Sequence, residues 1–210
     1  MLFPILLAAG QNRRFGASKL LAPLGGRPLI AHVLAAIEAS REGGLLGPGA
    51  AVLAETDPEL HRLVTGAGLV PVINPDPSAG LASSLRLGIA WVASRAGITR
   101  EDAALVILAD QPGLRTETVQ ALAREYGESR APIVRPRYRR TPQVPGHPVL
   151  LAHEAWPLVE ELQGDRGLGQ VLEARPALVR TVDVEGENPD VDRPEDLARL
   201  SRMMEREDRP

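Results

Sequence analysis

Apolar residues fall into short unbroken runs, separated by longer stretches in which they recur every three or four positions. Leu2–Ala9, Ala50–Ala54, Leu69–Ile73, Ala103–Ala109 and Ala131–Val134 are such runs, and Val179–Val184 is a further short one. Runs that are continuous rather than alternating predict strands covered on both faces. The helical spacing predicts helices over Pro28–Ser40, Pro58–Thr65, Leu81–Ser94, Thr116–Tyr126, His153–Gln163, Leu168–Glu173 and from about Pro194 to Met204. Thr56-Asp57-Pro58-Glu59 and Asp192-Arg193-Pro194-Glu195 read as capping boxes with an early proline, Asp192 being the cap of the last helix. Strands alternating with helices predict an α/β fold: one doubly wound, mainly parallel, Rossmann-like sheet spanning residues 1–210 as a single domain. The Arg135–Pro148 stretch, with four arginines and four prolines, reads as an irregular excursion of functional length.

Composition narrows the class. A net charge of −3 over 210 residues argues against nucleic acid or an anionic membrane as partner. With no cysteine there is no disulfide, thiolate nucleophile or cysteine zinc site, which fits a cytoplasmic protein. Arg13 and Arg14 follow the first apolar run rather than precede it, the reverse of a signal peptide, and no run is long enough to span a membrane. Of the 24 basic residues only Lys19 is a lysine. A compact ammonium retained where every other cation is a guanidinium marks a position at which a flat fork does not serve, or else a chance survivor.

Ligands of open α/β sheets bind beyond the carboxyl ends of strands. The first strand runs into Leu7-Ala8-Ala9-Gly10, a small-residue turn whose backbone N–H groups suit phosphate oxygens, and Arg13, Arg14 and Lys19 add charge nearby. The spacing is neither a GxGxxG fingerprint nor a Walker A loop. Asp110 follows the apolar run Ala103–Ala109 at the same sheet edge, where it can hold Mg²⁺ or simply open the turn at Pro112. Asp190 and Asp192, two positions apart, face one side if the segment is extended. Gly80, Ser83 and Ser84 lie where a turn enters a helix, a favourable place for anions.

These segments together resemble the molybdopterin nucleotidyltransferase family, and within it the molybdenum cofactor cytidylyltransferases, whose fold is of the glycosyltransferase-A type. The residues that carry the resemblance are Leu7 through Lys19 (with Asn12 in place of the family's serine), Gly80 through Gly88, Asp110-Gln111-Pro112, Gly146 through Leu150, Gly164 through Gly167, and Asp190 through Leu197. The resemblance implies transfer of CMP from CTP to the terminal phosphate of molybdopterin with release of pyrophosphate, Mg²⁺ being the cofactor. It implies that Leu7, Ala8, Ala9, Gly10, Gly80, Ser83 and Ser84 bind nucleotide, that Arg14 and Lys19 hold the triphosphate, and that Asp110, Asp190 and Asp192 bind metal. Arg14, Lys19 and Asp110 would carry catalysis, and Gln111, His147 and Asp165 would face the acceptor. Members that use GTP tend to have glycine where this chain has Ala9, so the alanine implies the smaller cytosine. Molybdenum enzymes or their chaperones are the implied protein partners. Two alternatives stay open: a guanylyl- or other nucleotidyltransferase with a different phosphorylated acceptor, and a non-catalytic nucleotide-binding accessory protein.

Overall fold

The computed structural model describes residues 1–10, 18–54, 58–144 and 146–207. Among the described residues nine strands form: β1 (Leu2–Ala8), β2 (Pro23–Leu24), β3 (Arg27–Pro28), β4 (Gly49–Ala54), β5 (Leu69–Asn74), β6 (Ala103–Leu108), β7 (Ile133–Tyr138), β8 (Val149–Ala152) and β9 (Val179–Val184). The α-helices are α1 (Leu29–Glu42), α2 (Pro58–Gly66), α3 (Leu81–Ala93), α4 (Thr116–Ser129), α5 (Gly169–Ala174) and α6 (Pro194–Glu207). Seven strands make the main sheet in the order β5-β4-β1-β6-β8-β7-β9. All run parallel except β8, which pairs antiparallel with both β6 and β7. The mainly parallel α/β sheet expected from the apolar runs is what forms.

Its two faces carry separate cores. Leu29, Ile30, Val33 and Ile37 of α1 pack on one face with Val119 and Leu122 of α4. Leu85, Ile89 and Val92 of α3 pack on the other with Trp156, Val159, Val171 and Leu172. Strands β1, β4 and β6 are nearly uniformly buried because both faces are covered, which is why their sequences do not alternate. From β1 the chain goes outward through β4 to β5, then crosses back by α3 to β6 on the other side of β1. Strand order therefore reverses between β1 and β6, and a crevice opens at their carboxyl ends.

Three local readings need correction. Residues 149–152, between the expected excursion and the expected helix, form β8, and β7 extends the preceding strand to Tyr138 and so takes in the start of that excursion. The stretch expected as a helix from His153 is a 3-10 helix, His153–Glu161, with Pro157 inside it. Leu24-Gly25-Gly26-Arg27 turns the β2–β3 hairpin, fastened to α1 where buried His32 contacts the Leu24 carbonyl oxygen at 2.9 Å. The Thr56–Asp57 cap lies outside the described residues.

Candidate active site

Two elements converge on the crevice. The end of β1 supplies Leu7, Ala8, Ala9 and Gly10, and the turn after β6 supplies Asp110. A short 3-10 turn, Lys19–Leu21, brings Lys19 over them. Its ammonium donates to Asp110 Oδ2 at 2.8 Å and to Asp192 Oδ1 at 3.3 Å, joining groups 91 and 173 positions apart in sequence. Partial burial opposes the lysine's charge, but the two carboxylates outweigh it and raise its pKa. The cleft around this ion triplet encloses about 500 Å³ and is also lined by Ser78, Gly80, Leu81, Ser84 and Asp165.

The Gly80–Gly88 motif shapes one wall for steric reasons. Gly80 has φ +87°, and a Cβ there would lie 2.4 Å from the Gly164 carbonyl carbon, so only glycine lets the two loops close on each other. At the other end, a Cβ on Gly88 would lie 2.3 Å from Ile5 Cγ2, so the missing side chain lets α3 settle onto β1. Ser83 and Ser84 are held by Asn74, whose amide donates to both hydroxyls at 2.9 Å. Ser84 lines the cleft, whereas Ser83 turns back to the Gly80 carbonyl at 2.8 Å. Asn74, 2% exposed, was not singled out from sequence: a polar residue ending an apolar run at a strand tip was its only signal.

The three carboxylates expected to share a metal have different partners: Asp190 accepts from Gln111 Nε2 at 2.8 Å, whereas Asp110 and Asp192 share Lys19. Desolvation and then the charges of Asp110 and Asp192 push the Asp190 carboxyl up from the usual range, while the Gln111 amide works the other way. Among the described residues, no three His, Cys, Asp or Glu side chains form a ready-made metal cage. Asp192 is not the helix cap either. Asp196 reaches back and accepts from the backbone N–H groups of Asp192 and Arg193 at 3.1 and 2.9 Å, leaving the Asp192 carboxylate to Lys19. The expected acceptor residues divide. Asp165 borders the cleft beside Gly80, while Gln111 and His147 do not line it. Asn188 ties those two together, donating to Gln111 Oε1 at 3.1 Å and to the His147 carbonyl at 3.3 Å. Arg14 and Asn12 lie outside the described residues.

Residues 4–181 match the MobA-like NTP transferase domain. The chain belongs to that family. Within it the relatives differ in what they are named for. The chain is similar to nicotine blue oxidoreductase of Paenarthrobacter nicotinovorans, 32% identical over 209 residues, covering 93% of this chain and 94% of the relative. It is also similar to molybdenum cofactor guanylyltransferase of Rhodobacter capsulatus, 40% identical over 128 residues, covering 57% and 56%. A solved manganese complex from Mycobacterium tuberculosis shares the fold with a TM-score of 0.74 at 23% identity, covering 96% of this chain and 98% of the other. No helix among the described residues is long and apolar enough to cross a membrane.

Proposed function

We propose that the protein transfers CMP from CTP to the terminal phosphate of a molybdopterin-type acceptor and releases pyrophosphate. The observation that carries this reading is the Lys19 ammonium held between Asp110 and Asp192 beside the backbone of Ala8–Gly10 at the strand-order reversal. Two carboxylates already sharing one cation are hard oxygen donors suited to Mg²⁺, which takes one or two carboxylates with phosphates and water. Asp110 and Asp192 would hold it, and when bound it would offset charge on the phosphates. The chain's own residues then have defined tasks. Backbone N–H groups at Ala9 and Gly10 orient the phosphates. Lys19, leaving its carboxylates for the nucleotide, draws charge from the departing pyrophosphate. An acceptor phosphate is already ionised at neutral pH, so positioning and charge stabilisation suffice without a general base.

Cytosine rather than guanine is proposed because Ala9 places a methyl group where GTP-using relatives tend to have glycine. The 40% identity to a guanylyltransferase favours GTP as the second reading. Pyrophosphate release from CTP, GTP and ATP in the presence of purified molybdopterin separates the two. Release from GTP alone refutes the cytidylyl reading. No release from any nucleotide refutes nucleotidyl transfer, and points to the chemistry for which the 32% identical relative is named.

A further inference from the structure

A second cleft, of about 390 Å³, opens on the same sheet face, where β7 and β9 meet α5. Leu172, Val179, Pro136 and Val144 give it apolar walls. One charge in it is uncompensated. Arg135 projects from β7, is partly buried, and forms no hydrogen bond or ion pair among the described residues. Its neighbour in sequence on the same face, Arg137, is spent on Asp183 through two bonds of 2.6 and 3.0 Å. Glu173 lines the cleft without pairing with Arg135. The charge of Arg135 reaches the ring of His147, whose Nδ1 is buried with no partner among the described residues.

A desolvated guanidinium without a counter-charge costs stability, and such groups persist where a ligand supplies the missing charge. Burial does hold the Arg135 guanidinium below its usual pKa. One segment of chain borders both clefts: Asp165 lines the first, and Gly169 and Leu172, a few residues on, line the second. We propose that the second cleft binds a flat ring compound that bears a carboxylate or phosphate, with Arg135 gripping the anionic oxygen. The walls suit a flat ring system, and the guanidinium fork suits a carboxylate or phosphate borne on it.

The test is direct binding, independent of turnover. Pterin-6-carboxylate, a flat fluorescent ring bearing one carboxylate, is titrated with the full chain and its quenching followed; inorganic phosphate is then added as competitor. The wild type should bind, and Arg135→Met should weaken binding by about tenfold or more, as expected for losing a charge-assisted pair. Arg139→Met, which removes an exposed arginine paired with Glu185, should change it less than about twofold. CTP binding by calorimetry should be unaffected by Arg135→Met, and the melting temperature should hold or rise, a combination that loss of a merely structural arginine would not give. Competition by phosphate identifies the anionic group as the anchor; binding that a large excess of phosphate leaves undisturbed overturns the grip by Arg135. Equal affinity in Arg135→Met, or no binding by the wild type, overturns the proposal. Absence of pyrophosphate release would refute the transferase reading while leaving this binding result standing.

Discussion

His147 links folding to pH in a way that can be worked out from its surroundings. Burial pulls its pKa down to about 4, the charge of Arg135 acts in the same direction, and the Val106 carbonyl opposes both. An imidazole in the unfolded chain titrates near 6.5. Between about pH 6.5 and pH 4 the unfolded chain therefore binds a proton at this position that the folded chain does not. Stability is fully present above the unfolded value and is lost as pH falls toward the folded one. At pH 4.5 the loss relative to pH 7.5 amounts to roughly 2.5 kcal/mol. Asp190, whose carboxyl is raised, works in the opposite sense as the pH falls, so the wild type alone does not isolate the histidine. His147→Gln keeps a neutral polar side chain and removes the titration. Urea unfolding of wild type and variant at both pH values gives a double difference in which the carboxylates cancel. The variant should lose about 2.5 kcal/mol less on acidification than the wild type. A double difference below about 0.5 kcal/mol would refute the assignment of a buried, neutral His147.

Three other substitutions probe the site and its frame. Lys19→Arg should lower kcat/KM for pyrophosphate release by about tenfold or more, because a planar fork cannot take an ammonium's place between Asp110 and Asp192; full activity would return the lone lysine to chance. Gly88→Ala puts a methyl where Ile5 already lies and should cost about 1–3 kcal/mol, seen as a lower melting temperature. Asp196→Ala should cost about 1 kcal/mol by uncapping α6 while sparing turnover, whereas Asp192→Ser should spare the melting temperature and lose turnover; the reverse pattern would restore Asp192 as the cap.

The parts of the fold legible in sequence are those with local causes. Continuous apolar runs marked β1, β4 and β6 because both faces of each are covered, and α3 was readable from its periodicity. β8 was not readable: Val149–Ala152 is buried on both sides, and nothing in four apolar residues says that they run antiparallel between β6 and β7. The hairpin turned by Gly25-Gly26 has strands of two residues each, too short for a hydrophobic pattern to mark them. Asp192 misled because its local spacing fits a helix cap, while its actual partner is Lys19, a contact no local pattern encodes. Asp110 and Lys19 were legible by position, each near a strand tip at one sheet edge. Their direct bond and the part Asn74 plays in holding Ser83 and Ser84 emerge only when the chain is folded.

The two clefts handle charge in opposite ways, and the difference bears on the order of binding under the proposed function. In the first, Lys19 and two carboxylates offset one another, so the site by itself carries little electrostatic strain. A nucleotide that takes the ammonium alone would leave Asp110 and Asp192 facing its own phosphates, and a cation that takes the carboxylates alone would leave Lys19 uncompensated. Only an exchange of both partners at once keeps every charge paired, and breaking a partly buried pair without replacement is expensive. Nucleotide and divalent cation should therefore bind this chain together much more tightly than either does singly, a coupling that is reciprocal by necessity. In the second cleft Arg135 has no partner to give up among the described residues, so an anion entering there breaks no existing pair. The nucleotide cleft is thus built to stay closed to incomplete ligands, and the second cleft to accept an anion without exchange. Calorimetric titrations of nucleotide with and without cation, beside titrations of the pterin probe, would reveal strong cation dependence in the first and none in the second.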